Sequence, residues 1–347
     1  MGINRSKSSK SIFAKLAAYV DSANSFYKYN LDKCYIDFQK EDKETLDTIR
    51  EINVQKFIPN AKFAIVSYRN RDMLIVVGEQ TSEHDGSVLL NVNVDLAIFV
   101  YAICNLQGNV NYAIPPMRIY NEILCQPEDE NYHGHQLEDL QEVFENVSAY
   151  EIVEESSLIK NDVYDVYAYH FLKLEREKIG RWDKKTLDLF EDIIFSGNDK
   201  IPYHNIVMSM LANQWNHSFL ETYRCIERLF SVIRLEAFYD VLGTELTLLA
   251  VAKEIEEKIS WRPNEETAIQ EIFKNIDTTA IENVKNSYKQ VKGMGVAKWY
   301  YKEIRNPIAH YRAVHSPLDL KEKEWNILLQ FNLSVIEYLY RKYRGKI

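Results

Sequence analysis

Cysteine is scarce: Cys34, Cys104, Cys125 and Cys225 lie far apart in 347 residues and form no CxxC pair. That spacing argues against a zinc ribbon or a disulfide framework and favours a reducing compartment such as the cytoplasm. No run approaches the roughly 20 apolar residues that a membrane helix needs, so no membrane partner is expected. The first residues lack the apolar centre of a signal peptide. Met1-Gly2-Ile3-Asn4-Arg5-Ser6, with Lys7 and Lys10 behind it, matches only the loose myristoylation pattern, which matters solely in a host that has the enzyme. No P-loop, GxGxxG, GxSxG or HExxH occurs, and no lysine follows Asp72 and Glu79 at the spacing of a nuclease core. No cofactor is expected. Internal repeats and low-complexity linkers are also missing.

Excess positive charge is the other absence. Lys and Arg number 42 against 51 Asp and Glu, a net −9, which argues against a general nucleic-acid coat. The imbalance is uneven. Residues 284–312 hold seven Lys and Arg against Glu303 alone, a local +6, while the first 283 residues carry −17. A small basic site on an acidic body suits a selective polyanion ligand.

Two segments of different texture follow one another. Ser11 to Tyr19 is a short amphipathic run. Cys34 to about Cys104 reads as strands, with Lys62–Tyr68 and Met73–Val77 flanking a polar turn over Arg69–Asp72. Ser87–Val94 partly alternates. Asp95–Cys104 is continuously apolar, a buried strand or a helix that periodicity alone does not separate. Residues 126–142 are acidic, a loop leading into a helix. From about residue 150 the pattern is mostly helical: Tyr164–Lys178, Trp182–Phe195 with Gly197 as a stop, and a long run from His204 to Tyr239 ended by Gly243 and bent near Asn213 or Asn216. Leu246–Ser260, Glu265–Ile276, Ala280–Val291 and Leu320–Tyr343 follow, the last with Leu328, Phe331, Val335 and Leu339 on one face. The expected class is α+β. A strand-containing N-terminal domain over 1–150 precedes a helical domain over 151–347, with a soft boundary between 115 and 185.

The basic segment contains Arg305-Asn306-Pro307-Ile308-Ala309-His310. It joins a fixed cation, a polar positioner and a residue type that exchanges protons near neutral pH. Asn-Pro is a helix-start signature, with Asn306 as N-cap and Pro307 at the first helical position. Arg305 then stands at a helix mouth, where free N–H groups favour a phosphate. The competing arrangement is one kinked helix from Ala297 to about Arg312. Either way Asn306 and His310 lie four residues apart on a helix face. The reaction these three residues imply is cleavage of an RNA phosphodiester by the ribose 2′-OH, with His310 moving the proton, Arg305 stabilising the phosphoryl charge and Asn306 orienting the phosphate or His310. No metal is required.

The Arg305–His310 segment resembles the Arg-x4–6-His motif of the HEPN superfamily, in its common Arg-Asn form. His217–Phe230 resembles that family's acidic-aromatic second helix, and the resemblance covers about residues 185–347. It implies a small helical bundle, a metal-independent ribonuclease of toxin, abortive-infection or CRISPR systems, and a composite site formed by two copies in a homodimer. Some members instead bind a nucleotide or a partner protein without cleaving. The layout, with a non-helical region ahead of a C-terminal HEPN domain, is similar to that of ApeA-like abortive-infection proteins. The implied partners are RNA, with tRNA one candidate, and a phage-derived trigger or a neutralising protein. The N-terminal domain would sense a trigger, position RNA or hold the nuclease inactive.

Other residues read less sharply. Glu227, on the same helix as Glu221, could orient Arg305 or His310, or be a solvated carboxylate paired with Arg224 or Arg228. Lys298, Lys302 and Arg312 fit RNA-backbone contacts as well as they fit a solvated basic face. Trp299 and Tyr300 suit core packing better than base stacking, and His315 suits the surface. His133-Gly134-His135 with Glu138 and Asp139 has ligand types at no established metal spacing and reads as a surface loop.

Overall fold

A computed structural model describes residues 5–23, 26–58, 61–79, 84–128, 130–156, 158, 162–178, 180–310 and 318–347. Met1–Asn4, where the lipidation pattern begins, and Arg312 and His315 lie outside the described residues. The chain is α+β. Its contacts divide it into two compact units, Met1–Ser156 and Ser157–Ile347.

In the first unit β1 (Arg50–Ile58), β2 (Ala61–Tyr68), β3 (Arg71–Val77), β4 (Leu89–Val92) and β5 (Val147–Ile152) form one sheet in the order β1-β2-β3-β5-β4. Every pairing is antiparallel. The β2–β3 turn closes on two residues, with Tyr68 paired to Arg71 and both Arg69 (φ 51°) and Asn70 (φ 60°) left-handed. Two-residue turns with positive φ match the twist of the flanking strands. Arg71 and Asp72, expected in the turn, begin β3. The sequence pattern places helix, not strand, from about residue 150, yet β5 (Val147–Ile152) is an interior strand of the sheet, between β3 and β4. Its hydrogen-bond partners, β3 and β4, are remote in the chain, so nothing local announces it.

The helices of this unit are α1 (Arg5–Ala23), α2 (Lys40–Leu46), α3 (Leu96–Cys104), the single turn α4 (Pro116–Ile119) and α5 (Leu137–Val143). The strand reading from Cys34 onward gives way to α2 before β1 begins, and α2 starts where Asp42 accepts the Gln39 backbone N–H at 2.9 Å. The apolar stretch after Asp95 is helical. Asp95 caps it by accepting the Ile98 N–H at 2.9 Å, and Tyr68 donates to the same carboxylate at 2.6 Å. Leu96–Ile103 are all buried, so α3 is the core's central rod, against β3 and β5 on one side and α1 and α2 on another. Lys15 of α1 donates 2.9 Å hydrogen bonds to the carbonyls of Ile103 and Gly108, placing a cation at the negative end of α3. A Cβ at Gly108 would lie 2.6 Å from Ile103 Cδ1, so glycine permits that close approach.

The second unit is helical among its described residues: α6 (Val163–Glu177), α7 (Lys184–Ile194), α8 (Tyr203–Leu211), α9 (Trp215–Glu227), α10 (Phe230–Leu242), α11 (Leu248–Ile259), α12 (Glu265–Lys274), α13 (Thr278–Ser287), α14 (Val296–Trp299), α15 (Asn306–Ala309) and α16 (Glu322–Tyr343). The last is the spine. Leu328, Phe331, Val335 and Leu339 are at most 2% exposed, and α16 packs on α7, α9 and α13. The long run from His204 is three helices. Ala212 and Gln214 are extended between α8 and α9, close to the expected bend, and Leu229 (φ −100°, ψ 3°) breaks the chain again before α10. α10 ends on Gly243 at φ 57°, where glycine takes the left-handed turn without strain.

Candidate functional site

Gly295, at φ 82° and ψ 153°, turns the chain into α14, a conformation that an L side chain resists. From there residues 296–309 run as one helix. α14 passes into a π-helical turn, Tyr300–Arg305, and then into α15, with Trp299, Tyr300, Arg305 and Asn306 all right-handed helical. Asn306 N–H bonds to the Tyr301 carbonyl five residues back. Pro307 brings no N–H, and in a regular helix its ring would collide with the Glu303 carbonyl. The wide turn immediately ahead of it relieves that clash. The kinked arrangement is therefore the one adopted, and the helix-start reading is corrected. Asn306 is not an N-cap, its N–H is used, and Arg305 does not stand before free backbone donors.

The side chains nevertheless converge. Arg305 Nη1 donates to Asn306 Oδ1 at 3.0 Å and lies 2.9 Å from His310 Nε2. The helix ends at His310, which is extended and exposed. A guanidinium only donates, so His310 Nε2 must accept, and the proton of the neutral ring then sits on Nδ1. The other side of Arg305 is clamped by acid. Its Nη2 is 2.7 Å from Glu265 Oε2 and 3.5 Å from Glu227 Oε1. Its Nε is buried without a hydrogen-bond partner among the described residues. The guanidinium centre lies 5.4 Å from the Tyr223 ring and 5.8 Å from that of Tyr301, and the residue is only 5% exposed.

One cation thus faces two carboxylates, an immediate charge of −1 if both are ionised. Burial raises the Glu227 pKa and the nearby Glu265 carboxylate adds to it, with Arg305 opposing. Burial opposes the charge of Arg305 itself, but Tyr223, Glu265 and Glu227 together lift its pKa above the ordinary value. Burial also pushes the Tyr223 phenol well up. The cluster holds a permanent buried cation, an exposed imidazole on its Nη1 edge and carboxylates on its Nη2 edge.

A buried polar relay fixes this arrangement. Tyr300, on the π turn, donates to Asn332 Oδ1 of α16 at 2.7 Å, and Asn332 Nδ2 donates to Thr222 Oγ1 of α9 at 2.9 Å. Asn332 and Thr222 have no exposed surface. Tyr300 also sits among Phe219, Phe273 and Phe331. Asn332→Ala strands the Tyr300 hydroxyl without its acceptor, and we expect a loss of about 2 kcal/mol in urea denaturation. Unchanged stability would show that the relay does not hold the turn.

The remaining sequence candidates fall as follows. Glu227 reaches Arg305, as one reading of it required. Glu221 instead pairs with Arg224 and accepts from Asn205 at 2.6 Å. Lys298 and Lys302 are exposed on the helix, with no ion pair among the described residues. Trp299 and Tyr300, at 2% and 1% exposed, are core residues. His133 is exposed, but the surface-loop reading is corrected for His135. That ring has no exposed surface, lies 5.2 Å from both Phe13 and Tyr132, and has its pKa lowered by burial. No group of three or more His, Cys, Asp or Glu side chains among the described residues is placed to hold a metal ion. Glu265 and Tyr223 are the members that sequence reasoning missed. Tyr223 lay in the segment singled out as acidic-aromatic, whereas Glu265 begins α12 and only tertiary packing brings it to Arg305. No protein-family model matches the chain, and neither a curated protein nor a solved structure matches it.

Proposed function

We propose that the helical unit is an endoribonuclease that needs no metal and cleaves RNA at Arg305, Asn306 and His310. The observation that carries this reading is the convergence of Asn306 and His310 on one guanidinium nitrogen, at 3.0 and 2.9 Å. A phosphate meeting Nη1 replaces His310 Nε2 as its acceptor and frees that lone pair. The lone pair takes the 2′-OH proton as the oxygen attacks phosphorus. The P–O5′ bond breaks, leaving a 2′,3′-cyclic phosphate, and the departing O5′ takes a proton from water, which the His310 imidazolium then makes good. Arg305 balances the charge that builds on the phosphoryl oxygens, and Asn306 holds the guanidinium in plane. Lys298 and Lys302 supply backbone contacts on the same helix.

The resemblance of this segment to the HEPN motif supports the same reading. It extends the reading to a homodimer with a composite site, to RNA such as tRNA, and to a bacterial antiphage, abortive-infection or toxin setting in which a phage-derived trigger or a neutralising partner sets activity. No helix among the described residues is long and apolar enough to cross a membrane.

A second reading has its own observation. Arg305 is clamped by Glu265 and Glu227 and nearly buried. That suits a non-catalytic module in which Arg305 is a structural hub and the unit binds a nucleotide or a partner protein. Total RNA incubated in EDTA with wild type and with His310→Ala separates the two. His310 is exposed, so its loss spares the fold, and cleavage is expected to fall 10²- to 10⁴-fold. Equal cleavage by both proteins sinks the site. Intact RNA with wild type, in vitro and in cells under phage challenge, supports the second reading.

A further inference from the structure

A cavity of about 490 Å³ opens between the end of α7, the loop over residues 196–201 and the C-terminal half of α16. The volume falls within the roughly 300–1,000 Å³ of small-molecule sites. Leu189, Ile201 and Tyr340 give it an apolar floor, with Ile201 and Tyr340 at 4% and 0% exposed. The Tyr340 hydroxyl donates to the Cys225 carbonyl of α9 at 3.0 Å, so its polar end is already spent on the bundle. The walls are strapped in place. Asn198 Nδ2 donates to the Tyr340 carbonyl at 2.7 Å, and Arg344 Nη2 donates to the Gly197 carbonyl at 2.6 Å. Both bonds tie the loop to α16, so a ligand meets a preformed site and orders little on entry.

Two anions and two cations line the cavity, and only half of them are matched. Glu337 and Arg341, one turn apart on α16, close on each other at 2.5 Å. Asp192 and Arg344 are exposed, and neither has an ion pair among the described residues. Arg344 gives one N–H to Gly197 and keeps others for an acceptor. A simple anion drawn to Arg344 meets the Asp192 carboxylate, and a simple cation drawn to Asp192 meets Arg344, so the site opposes both. A molecule that carries an ammonium and a carboxylate beside an apolar group satisfies the two charges and the floor together.

We propose that this cavity binds a free amino acid with an apolar side chain. Its ammonium donates to Asp192, its carboxylate accepts from Arg344, and its side chain lies on Leu189, Ile201 and Tyr340. The assignment does not rest on the ribonuclease reading.

Calorimetric titration of the full chain with L-leucine, L-methionine and L-phenylalanine tests it, beside the amide and the N-acetyl derivative of each. The amide lacks the carboxylate charge and the N-acetyl derivative lacks the ammonium. Wild type is expected to bind at least one of the amino acids, and both of its derivatives about tenfold or more weakly. Asp192→Asn and Arg344→Gln should each weaken the amino acid about tenfold. Both side chains are exposed, so the variants keep the fold, which circular dichroism checks. A merely structural role would not change selectivity in a matched way. Asp192→Asn should bind the amino acid and its N-acetyl derivative alike, and Arg344→Gln should bind the amino acid and its amide alike. No binding of the amino acids by wild type, derivatives that bind as tightly as the parent, or binding unchanged in either variant overturns the assignment.

Discussion

Arg305→Ala should destabilise the helical unit by about 3 kcal/mol as well as abolish RNA cleavage. Removing one member of a buried ion pair leaves uncompensated charge and costs roughly 3–5 kcal/mol. The low end applies because the Glu227 and Glu265 side chains keep 41% and 34% of their surface in water. The melting temperature should fall roughly 6–12 °C for a unit of this size. The loss of activity from Arg305→Ala alone is therefore ambiguous, and a compensated variant resolves it. Arg305→Met with Glu227→Gln and Glu265→Gln removes the cation and both anions together. Its stability should return to within about 1 kcal/mol of wild type, since replacing a whole buried ionic cluster is often neutral. Its RNA cleavage should stay lost if the guanidinium meets phosphate. Full cleavage by the compensated variant would place the chemistry elsewhere.

Stability should also fall as pH rises, because of Asp165. This residue lies in the first turn of α6 with no exposed surface, and neither carboxyl oxygen has a hydrogen-bond partner among the described residues. Burial, with Asp162 nearby, pushes its pKa up to about 8. In the unfolded chain the carboxyl ionises near pH 4, and in the folded chain it keeps its proton until about pH 8. Folding therefore takes up a proton between those values. Stability is fully present below pH 4, declines through the window and levels off above pH 8. Four units at about 1.36 kcal/mol each put the loss on the order of 5 kcal/mol. Asp165→Asn has no proton to lose, so its profile should lack this decline and it should be the more stable protein at pH 8–9. Urea denaturation from pH 5 to 9 reads both curves. Parallel profiles for the two proteins would show that Asp165 is ionised in the fold. In the sequence, an Asp three places after the Asp162 N-cap looks like an ordinary first-turn acid.

Much of the fold was legible because local forces announce it. The β2–β3 hairpin followed from two apolar runs around a polar turn, and the α16 stripe from its 3.6-residue period. The left-handed stop at Gly243 followed from the one residue type that adopts it freely. The elements that escaped were those stabilised by remote partners. β5 is a strand because β3 and β4 lie on either side of it. α3 is a helix because Asp95 caps it and the core surrounds it on every side.

The site divides the same way. The basic segment, the order Arg305, Asn306 and His310, and the alternative of a kinked helix around Pro307 were present in the sequence itself, since i to i+4 spacing on a helix is a local property. Packing alone decided which helix formed and what faces Arg305. The π turn before Pro307 arises where Tyr300 is pinned to Asn332, and it removes the free helix mouth that Asn-Pro suggested. Glu265, 40 residues away in sequence, becomes the nearest anion. A buried charge takes its partner from whatever the fold carries within a few ångströms, and that is a property of tertiary structure, not of spacing along the chain.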